Sequence, residues 1–500
     1  MEKRINEIDT ISVAPSHETV TKRLPTEGSL AGLRFSRLFT EEGVHPFDQV
    51  EWTFRNSSIH DEKGEVVFHL DQVEVPADWS QLAVDIAASK YFRKAGVPEI
   101  DYESSIRQLV HRVAHTIRTA GEDFGGYFES IADADAFEAE LAYMLVTQRG
   151  AFNSPVWFNC GLFHEYGIEG GKGNWYWNSD QQSVVQTDNN YDHPQCSACF
   201  IQSVDDDLMS IFDLVKNEAR VFKYGSGTGS NFSAIRGRQE KLSGGGTSSG
   251  LMSFLEVFDR AAGATKSGGT TRRAAKMVCL DMDHPEIIDF INWKAKEEKK
   301  VAALIEAGYP SDFNSEAYKT VSGQNSNNSV RLNDDFMNAY LNNEAWHTTL
   351  RTTGEVHERF EAKDLMQQIA QAAWQCADPG VQFDTTINDW HTCATTDRIY
   401  SSNPCSEYMF LNDSACNLSS INLLKFLDSD GNFEIEKYQH ACRIFFVAQE
   451  ILVDLSSYPT QAIAQHSHDY RPLGLGYANL GTLLMVKGLP YDSEEAVAMC

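Results

Sequence analysis

Apolar positions keep a helical period through 101–150, and the character of the chain changes near residue 150, after which short apolar runs alternate with helical stretches. Residues 1–30 are polar, with Pro15, Pro25 and several Ser and Thr, and are expected to form a loose arm. From 31 to 100 the pattern is mixed. Runs at 66–70 and 73–75 predict short strands, while Leu82, Ile86, Ala87 and Tyr91 keep helical spacing within 79–95. Two helices are predicted between 101 and 150. Ile106, Leu109, Val110, Val113 and Ile117 share one face of the first, and the second runs through 135–145 to a stop at Arg149-Gly150.

Beyond that stop, 153–159 has turn composition, and a Gly-, Asn- and aromatic-rich insertion with little periodicity fills 161–195. Short apolar runs at 199–204, 231–235, 276–280, 329–332 and 381–383 then alternate with helical stretches. That alternation predicts an α/β sheet or barrel. At the end, 492–497 opens a fresh helix with no closing signal, so a longer protein is expected.

A length of 500 residues predicts two or three domains or one large barrel, and 42% hydrophobic content fits a globular chain. No apolar run is long enough to span a bilayer, and the charged start at 1–7 lacks the apolar core of a signal peptide. A cytoplasmic location is expected. The net charge of −29 argues against a nucleic-acid polymer as partner, which requires a basic face. Mononucleotides remain compatible, because backbone N–H groups and a few local cations can hold them. The ten cysteines should be mostly reduced, with Cys279 and Cys442 reading as small core residues.

The chemically densest stretch is Asn403-Pro404-Cys405-Ser406-Glu407, with Cys416-Asn417-Leu418-Ser419 eleven positions after its thiol. Amide, thiol and carboxylate fall on alternate residues, which in extended backbone point the same way; a surface turn is the competing reading. Three glycine-rich stretches, 224–230, 243–250 and 266–273, lie near Arg236, Arg272 and Arg273. None ends as a Walker loop or completes a dinucleotide fingerprint, yet together they favour a nucleotide surface. Cys196-Ser197-Ala198-Cys199 has metal-ligand spacing, but Cys160, His164 and His193 supply no regular second pair. A buried structural thiol, or Cys199 as half of a redox pair, stays open.

The 403–407 stretch with 416–423 is similar to the thiyl-radical finger of ribonucleotide reductases. Asn153-Ser154-Pro155, Ser197-Ala198-Cys199-Phe200, the 225–232 segment and Gly268-Gly269-Thr270-Thr271-Arg272-Arg273 resemble that family's other motifs, in the same order. From about residue 25 onward the chain most resembles the adenosylcobalamin-dependent class II enzymes. The 161–195 insertion is longer than in compact members.

The resemblance implies a ten-stranded α/β barrel of two five-stranded halves. The first half, a finger loop at 401–416 and the opening of the second would lie within 150–500, after a largely helical domain at 31–149. It implies Cys405 as the thiyl radical, Glu407 as base for the 3′-hydroxyl and Asn403 as orienting amide. Cys199 and Cys416 would be the reductants that finish as a disulfide. Implied substrate contacts are Ser154, Ala198, Cys199, Gly227 and the backbone of Asn403, Pro404, Cys405, Ser406 and Glu407. Asp206, Arg236 and Ser243 would bind an effector, and 268–273 would pass its identity to the substrate base. Adenosylcobalamin is the implied cofactor, its cobalt the only metal. A ribonucleoside diphosphate, dNTP or ATP effectors, a thioredoxin-like reductant and a second copy of the chain are the implied partners. The rivals are a class I large subunit, served by a separate radical-generating protein, and a non-catalytic nucleotide-binding protein.

Overall fold

The computed structural model describes residues 32–60, 64–238, 240–265, 274–312 and 315–500. The expected arm at 1–30 and the 268–273 loop lie outside these residues. Strands β1 (Trp52–His60) and β2 (Val66–Pro76) form an antiparallel hairpin. The two short strands expected at 66–70 and 73–75 are thus one, because β1 supplies partners along its whole length. The helix expected over 79–95 is shorter. Ser80 caps Gln81–Ile86, a wider turn covers Ala87–Tyr91, and buried Phe92 leaves in extended backbone.

Helices Ile106–Phe124 and Ile131–Val146 match the predicted pair. Ser105 and Gln108 close a capping box on the first, and Ser130 caps the second. Their apolar faces pack on helix Ile435–Leu455, so Ile117, Phe137, Leu141, Phe445 and Ile451 belong to one core. One buried carboxylate ties the segment before them to this core. Glu140 accepts hydrogen bonds from the backbone N–H of Thr40 (2.8 Å), the Thr40 hydroxyl (2.6 Å), the N–H of Phe39 (3.1 Å) and His440 Nε2 (2.8 Å).

The later strands are β3 (Gly150–Phe152), β4 (Trp175–Asn178), β5 (Ser183–Gln186), β6 (Cys199–Ile201), β7 (Gly227–Asn231), β8 (Ala275–Asp281), β9 (Asn327–Leu332), β10 (Ala345–Thr349), β11 (Val356–Glu361), β12 (Gly380–Phe383), β13 (Ser414–Asn422) and β14 (Leu473–Ala478). An eight-stranded sheet runs in the order β12-β9-β8-β7-β6-β13-β14, with β3 pairing on β13. From β12 to β6 every pairing is parallel. Helices Leu208–Lys223, Leu251–Ala264, Ile287–Glu306 and Ala362–Cys376 lie in the crossovers, as parallel pairing requires. Then β13 pairs antiparallel to β6, and β14 lies parallel to β13. This is a five-stranded parallel half-barrel followed by the start of an oppositely directed half.

The 161–195 insertion, despite its little periodicity, carries a hairpin, β4–β5. Trp175, Trp177 and Val184 pack with Phe200, Ala415 and Tyr458 behind the β6–β13 junction. The turn-like 153–159 segment is helical over Ser154–Asn159, with Pro155 in its first turn. Among the described residues no helix is long and apolar enough to cross a membrane.

Burial pushes the Glu140 carboxyl up, but the bonds from His440, Thr40 and Phe39 outweigh it and leave it below the ordinary carboxylate range. A depressed folded-state value contributes stability above the unfolded value, lost as pH falls through the folded one. Glu140→Ala is expected to cost about 3 kcal/mol in urea unfolding at neutral pH, since it strands buried donors. The gap between the two proteins should shrink in acid.

Candidate active site

After β12 the chain turns through helix Asp384–Asp389 and re-enters the half-barrel, where 400–404 runs antiparallel to β7. Asn231 Nδ2 donates to the Tyr400 carbonyl (2.9 Å), and Asn327 Nδ2 to the Pro404 carbonyl (2.8 Å). A Cβ on Gly229 would fall on the Ser402 carbonyl oxygen, and one on Gly227 would lie 2.7 Å from Pro404 Cγ. The stretch read as a glycine-rich phosphate loop is therefore largely a barrel strand. Of the run expected as a strand at 231–235, Asn231 ends this strand and the rest is the turn that follows it. Only Gly225, at φ +92°, keeps a turn conformation there.

At the tip, Ser406 N–H donates to the Asn403 carbonyl (3.2 Å), and Ser406 sits at φ +66°. Asn403 to Ser406 is thus a tight turn, not the extended run that would align alternate side chains. The turn reading was right about the backbone, because Pro404 and a left-handed Ser406 reverse it. Convergence comes instead from contacts across the fold. Asn403 Nδ2 donates to Cys199 Sγ (3.0 Å), and its Oδ1 accepts from Tyr408 N–H (3.0 Å). The Cys199 thiol in turn donates to Glu407 Oε1 (3.4 Å).

Cys199 and Cys416 are directly opposed in the β6–β13 ladder. Opposed antiparallel residues have Cβ atoms about 5 Å apart, close to disulfide geometry. Both are buried thiols. Burial, then the Glu407 charge and Cys416, hold the Cys199 thiol well above the ordinary cysteine range. Burial and Glu407 push the Cys416 thiol up to about 12. Cys405 and Glu407 are exposed, whereas a thiol that carries a radical has to be held away from water. The tip reaches the first residues of β7 and β9, on a sheet whose outer strands β12 and β14 are edges.

Ser154 opens its short helix, with its hydroxyl 3.0 Å from Tyr91 Oη. Tyr91 stacks on Phe158 at 5.2 Å. Ala198 spends its backbone within the sheet, its N–H on the Cys416 carbonyl (3.2 Å) and its carbonyl on Gly227 N–H (2.8 Å). The Cys-x-x-Cys pair splits. Cys196 lies buried beside Cys160 in the helical core, and among the described residues no three His, Cys, Asp or Glu side chains form a metal cage.

Away from the tip, Arg236 Nε donates to Asp206 Oδ2 (2.7 Å) and its backbone N–H to Oδ1 (3.2 Å), so these two effector candidates hold each other. Arg236 Nη1 also reaches the Lys241 carbonyl (2.9 Å). Ser243 is exposed in a turn ahead of helix Leu251–Ala264, whose cap is Gly250. Asp207 caps helix Leu208–Lys223. Leu208, Met209 and Phe212 on helix Leu208–Lys223 and Val257 on helix Leu251–Ala264 are exposed apolar side chains.

Sequence reasoning missed Tyr91, Tyr408, Asn231, Asn327 and Gln382. The available sign was amide side chains inside strand patterns, where they are disfavoured. Gln382, buried on β12, donates from Nε2 to Ser402 Oγ (2.8 Å) and Ser406 Oγ (3.3 Å).

Thiolate, not thiol, is alkylated. Iodoacetamide with peptide mass spectrometry near pH 8 should therefore label Cys405 in the folded protein and spare Cys199 and Cys416. Cys416 should react only as the pH nears 12 or the protein unfolds.

Residues 197–500 match the family profile described as ribonucleotide reductase, barrel domain. Residues 53–148 match that of the class II vitamin B12-dependent ribonucleotide reductase. A Rhodopirellula baltica protein named vitamin B12-dependent ribonucleotide reductase is 52% identical over 95% of this chain and 46% of its own length. One of the same name from Streptomyces avermitilis is 47% identical over 96% of this chain and 48% of its own. A Mycobacterium tuberculosis protein named vitamin B12-dependent ribonucleoside-diphosphate reductase is 34% identical over 61% of this chain and 40% of its own. The chain spans about half the length of these relatives. The class I alternative is set aside by the profile over 53–148, and with the barrel profile covering most of the sequence, this chain belongs to the class II, vitamin B12-dependent ribonucleotide reductases.

Proposed function

We propose that this chain carries the radical site of an enzyme that reduces ribonucleoside diphosphates to 2′-deoxyribonucleoside diphosphates for DNA synthesis and repair. The supporting observation is the cluster of Asn403, Glu407, Cys199 and Cys416 around one turn that presents Cys405. Adenosylcobalamin, when bound, would supply the radical chemistry, and Cys405 is the residue that would give up its thiol hydrogen atom to it. The described residues fit such a cofactor in that the Cys405 thiol is exposed at the tip, where a bound cofactor would reach it.

The Cys405 thiyl removes the 3′-hydrogen atom of the ribose while Glu407 takes the 3′-hydroxyl proton. The 2′-hydroxyl then leaves as water. Cys199 and Cys416 contribute two electrons and two protons in all, and their sulfurs join as a disulfide. Cys405 returns a hydrogen atom to C3′. Asn403, fixed by Tyr408 N–H at its oxygen, directs its amide toward the hydroxyls and Cys199. High thiol values suit this scheme. Neutral S–H groups give up hydrogen and leave no buried anion beside Glu407. Ser154, Ala198, Gly227 and the 403–407 backbone line the substrate's position.

A thioredoxin-like dithiol would reopen the disulfide by exchange, in the cytoplasm. The diphosphate assignment draws on the name of the mycobacterial relative. Asp206, Arg236 and Ser243 would take a dNTP or ATP effector, and Leu208, Met209, Phe212 and Val257 would meet a second copy of the chain.

In the full-length protein, Cys405→Ser is expected to abolish deoxynucleotide formation with adenosylcobalamin. Cys416→Ser should still exchange the 3′-hydrogen but stop normal turnover. Turnover by Cys405→Ser would sink the proposal, and nucleotide binding by the parent without turnover would favour a non-catalytic binder. Assaying diphosphate beside triphosphate decides the substrate. Sedimentation should show a dimer that Phe212→Glu converts to monomer; an unchanged dimer would place the interface elsewhere.

A further inference from the structure

The backbone of Ser406, immediately after Cys405, occupies the left-handed region at φ +66°, which a residue with a Cβ holds only under external constraint. The constraint is visible. Gln382 Oε1 accepts from Arg331 Nη1 (3.0 Å) and from the Cys279 thiol (3.6 Å). Arg331 has only donors, so the Gln382 amide must turn its oxygen to the guanidinium and its NH2 to the finger. Arg331 is buried and cannot swing away, since Asp384 binds its Nε (3.0 Å) and the Ile399 carbonyl its Nη2 (2.8 Å).

On the finger side, Ser402 Oγ gives its one proton to the Asn403 carbonyl (2.9 Å). At the Ser402–Ser406 contact (3.2 Å) the proton must therefore come from Ser406, whose oxygen also receives Gln382 Nε2 (3.3 Å). The Ser406 hydroxyl is thus fixed as donor and acceptor at once, and the backbone between it and Asn403 carries Cys405. The series Asp384–Arg331–Gln382–Ser402/Ser406 runs from the far end of the half-barrel to the tip.

We propose that Gln382 is a positioning residue for the reacting thiol, holding Ser406 left-handed and so fixing the direction of Cys405. This rests on the reading of Cys405 as the reacting group. It also accounts for a polar, fully enclosed side chain in a strand whose neighbours, Val381 and Phe383, are apolar.

The test uses the full-length enzyme. Gln382→Leu keeps the bulk and removes both amide groups. It should lower kcat about tenfold to a hundredfold, the scale of a misplacement of about 1 Å, with KM little changed. Adding Ser406→Gly, which adopts the left-handed conformation unaided, should restore most of the loss. Ser406→Ala, which leaves Arg331 and Gln382 in place, should lower kcat in the same sense and covers the case that Gln382→Leu does not fold. Cys405 alkylation should change severalfold in Gln382→Leu and return in the double variant. Normal kcat in both Gln382→Leu and Ser406→Ala, or a loss that Ser406→Gly leaves untouched, overturns the proposal. A parent enzyme that makes no deoxynucleotide would overturn the functional reading instead, while the alkylation comparison would still decide the positioning.

Discussion

A finger of polypeptide can lie inside this half-barrel only because β7 lacks side chains where the two backbones meet. Gly227 and Gly229 face inward at alternate positions, and a Cβ at either would strike Pro404 or Ser402. Strand interiors lose stability with glycine, so their presence here reflects the close approach of another backbone. The path of 400–404, the position of the tip and the meeting of its side chains with Cys199 all follow from that clearance.

Backbone brought into a sheet interior must satisfy its polar groups there. The inward faces of the parallel strands accordingly carry polar groups: Asn231 on β7, Cys279 on β8, Asn327 and Arg331 on β9, Gln382 on β12. Each meets the finger or a group that does. The apolar core lies on the other side, where Val278, Leu280, Val330 and Leu332 face the helices. Toward the ends of β8 and β9, inward polar and outward apolar positions thus alternate along the same strand, a consequence of period-two alternation.

The two buried thiols are placed by a different device. Cys199 and Cys416 come from strands far apart in sequence, and their opposition depends on the antiparallel register of β6 and β13. The hairpin of the 161–195 insertion packs behind that junction, on Phe200 and Ala415, the residues that alternate with the cysteines. Asn153 adds a further tie, its Oδ1 accepting from Leu418 N–H (2.7 Å) and its Nδ2 donating to the Cys196 carbonyl (2.9 Å).

Periodicity alone located the paired helices at 106–124 and 131–146 and the alternation of strands and helices after residue 150, because burial of one face writes itself into local spacing. Motif order alone indicated the family and the residues Asn403, Cys405, Glu407, Cys199 and Cys416. Local pattern failed where the deciding partner was remote. The glycines at 227 and 229 read as a loop until the finger lay against them, and 403–407 stood open between an extended run and a turn until the bond from Ser406 N–H to the Asn403 carbonyl decided it. The sequence by itself determined which chemical groups are available to the candidate site. Only the tertiary structure decided which of them touch, because register, strand order and the threading of one backbone through a sheet are set by contacts between residues hundreds of positions apart.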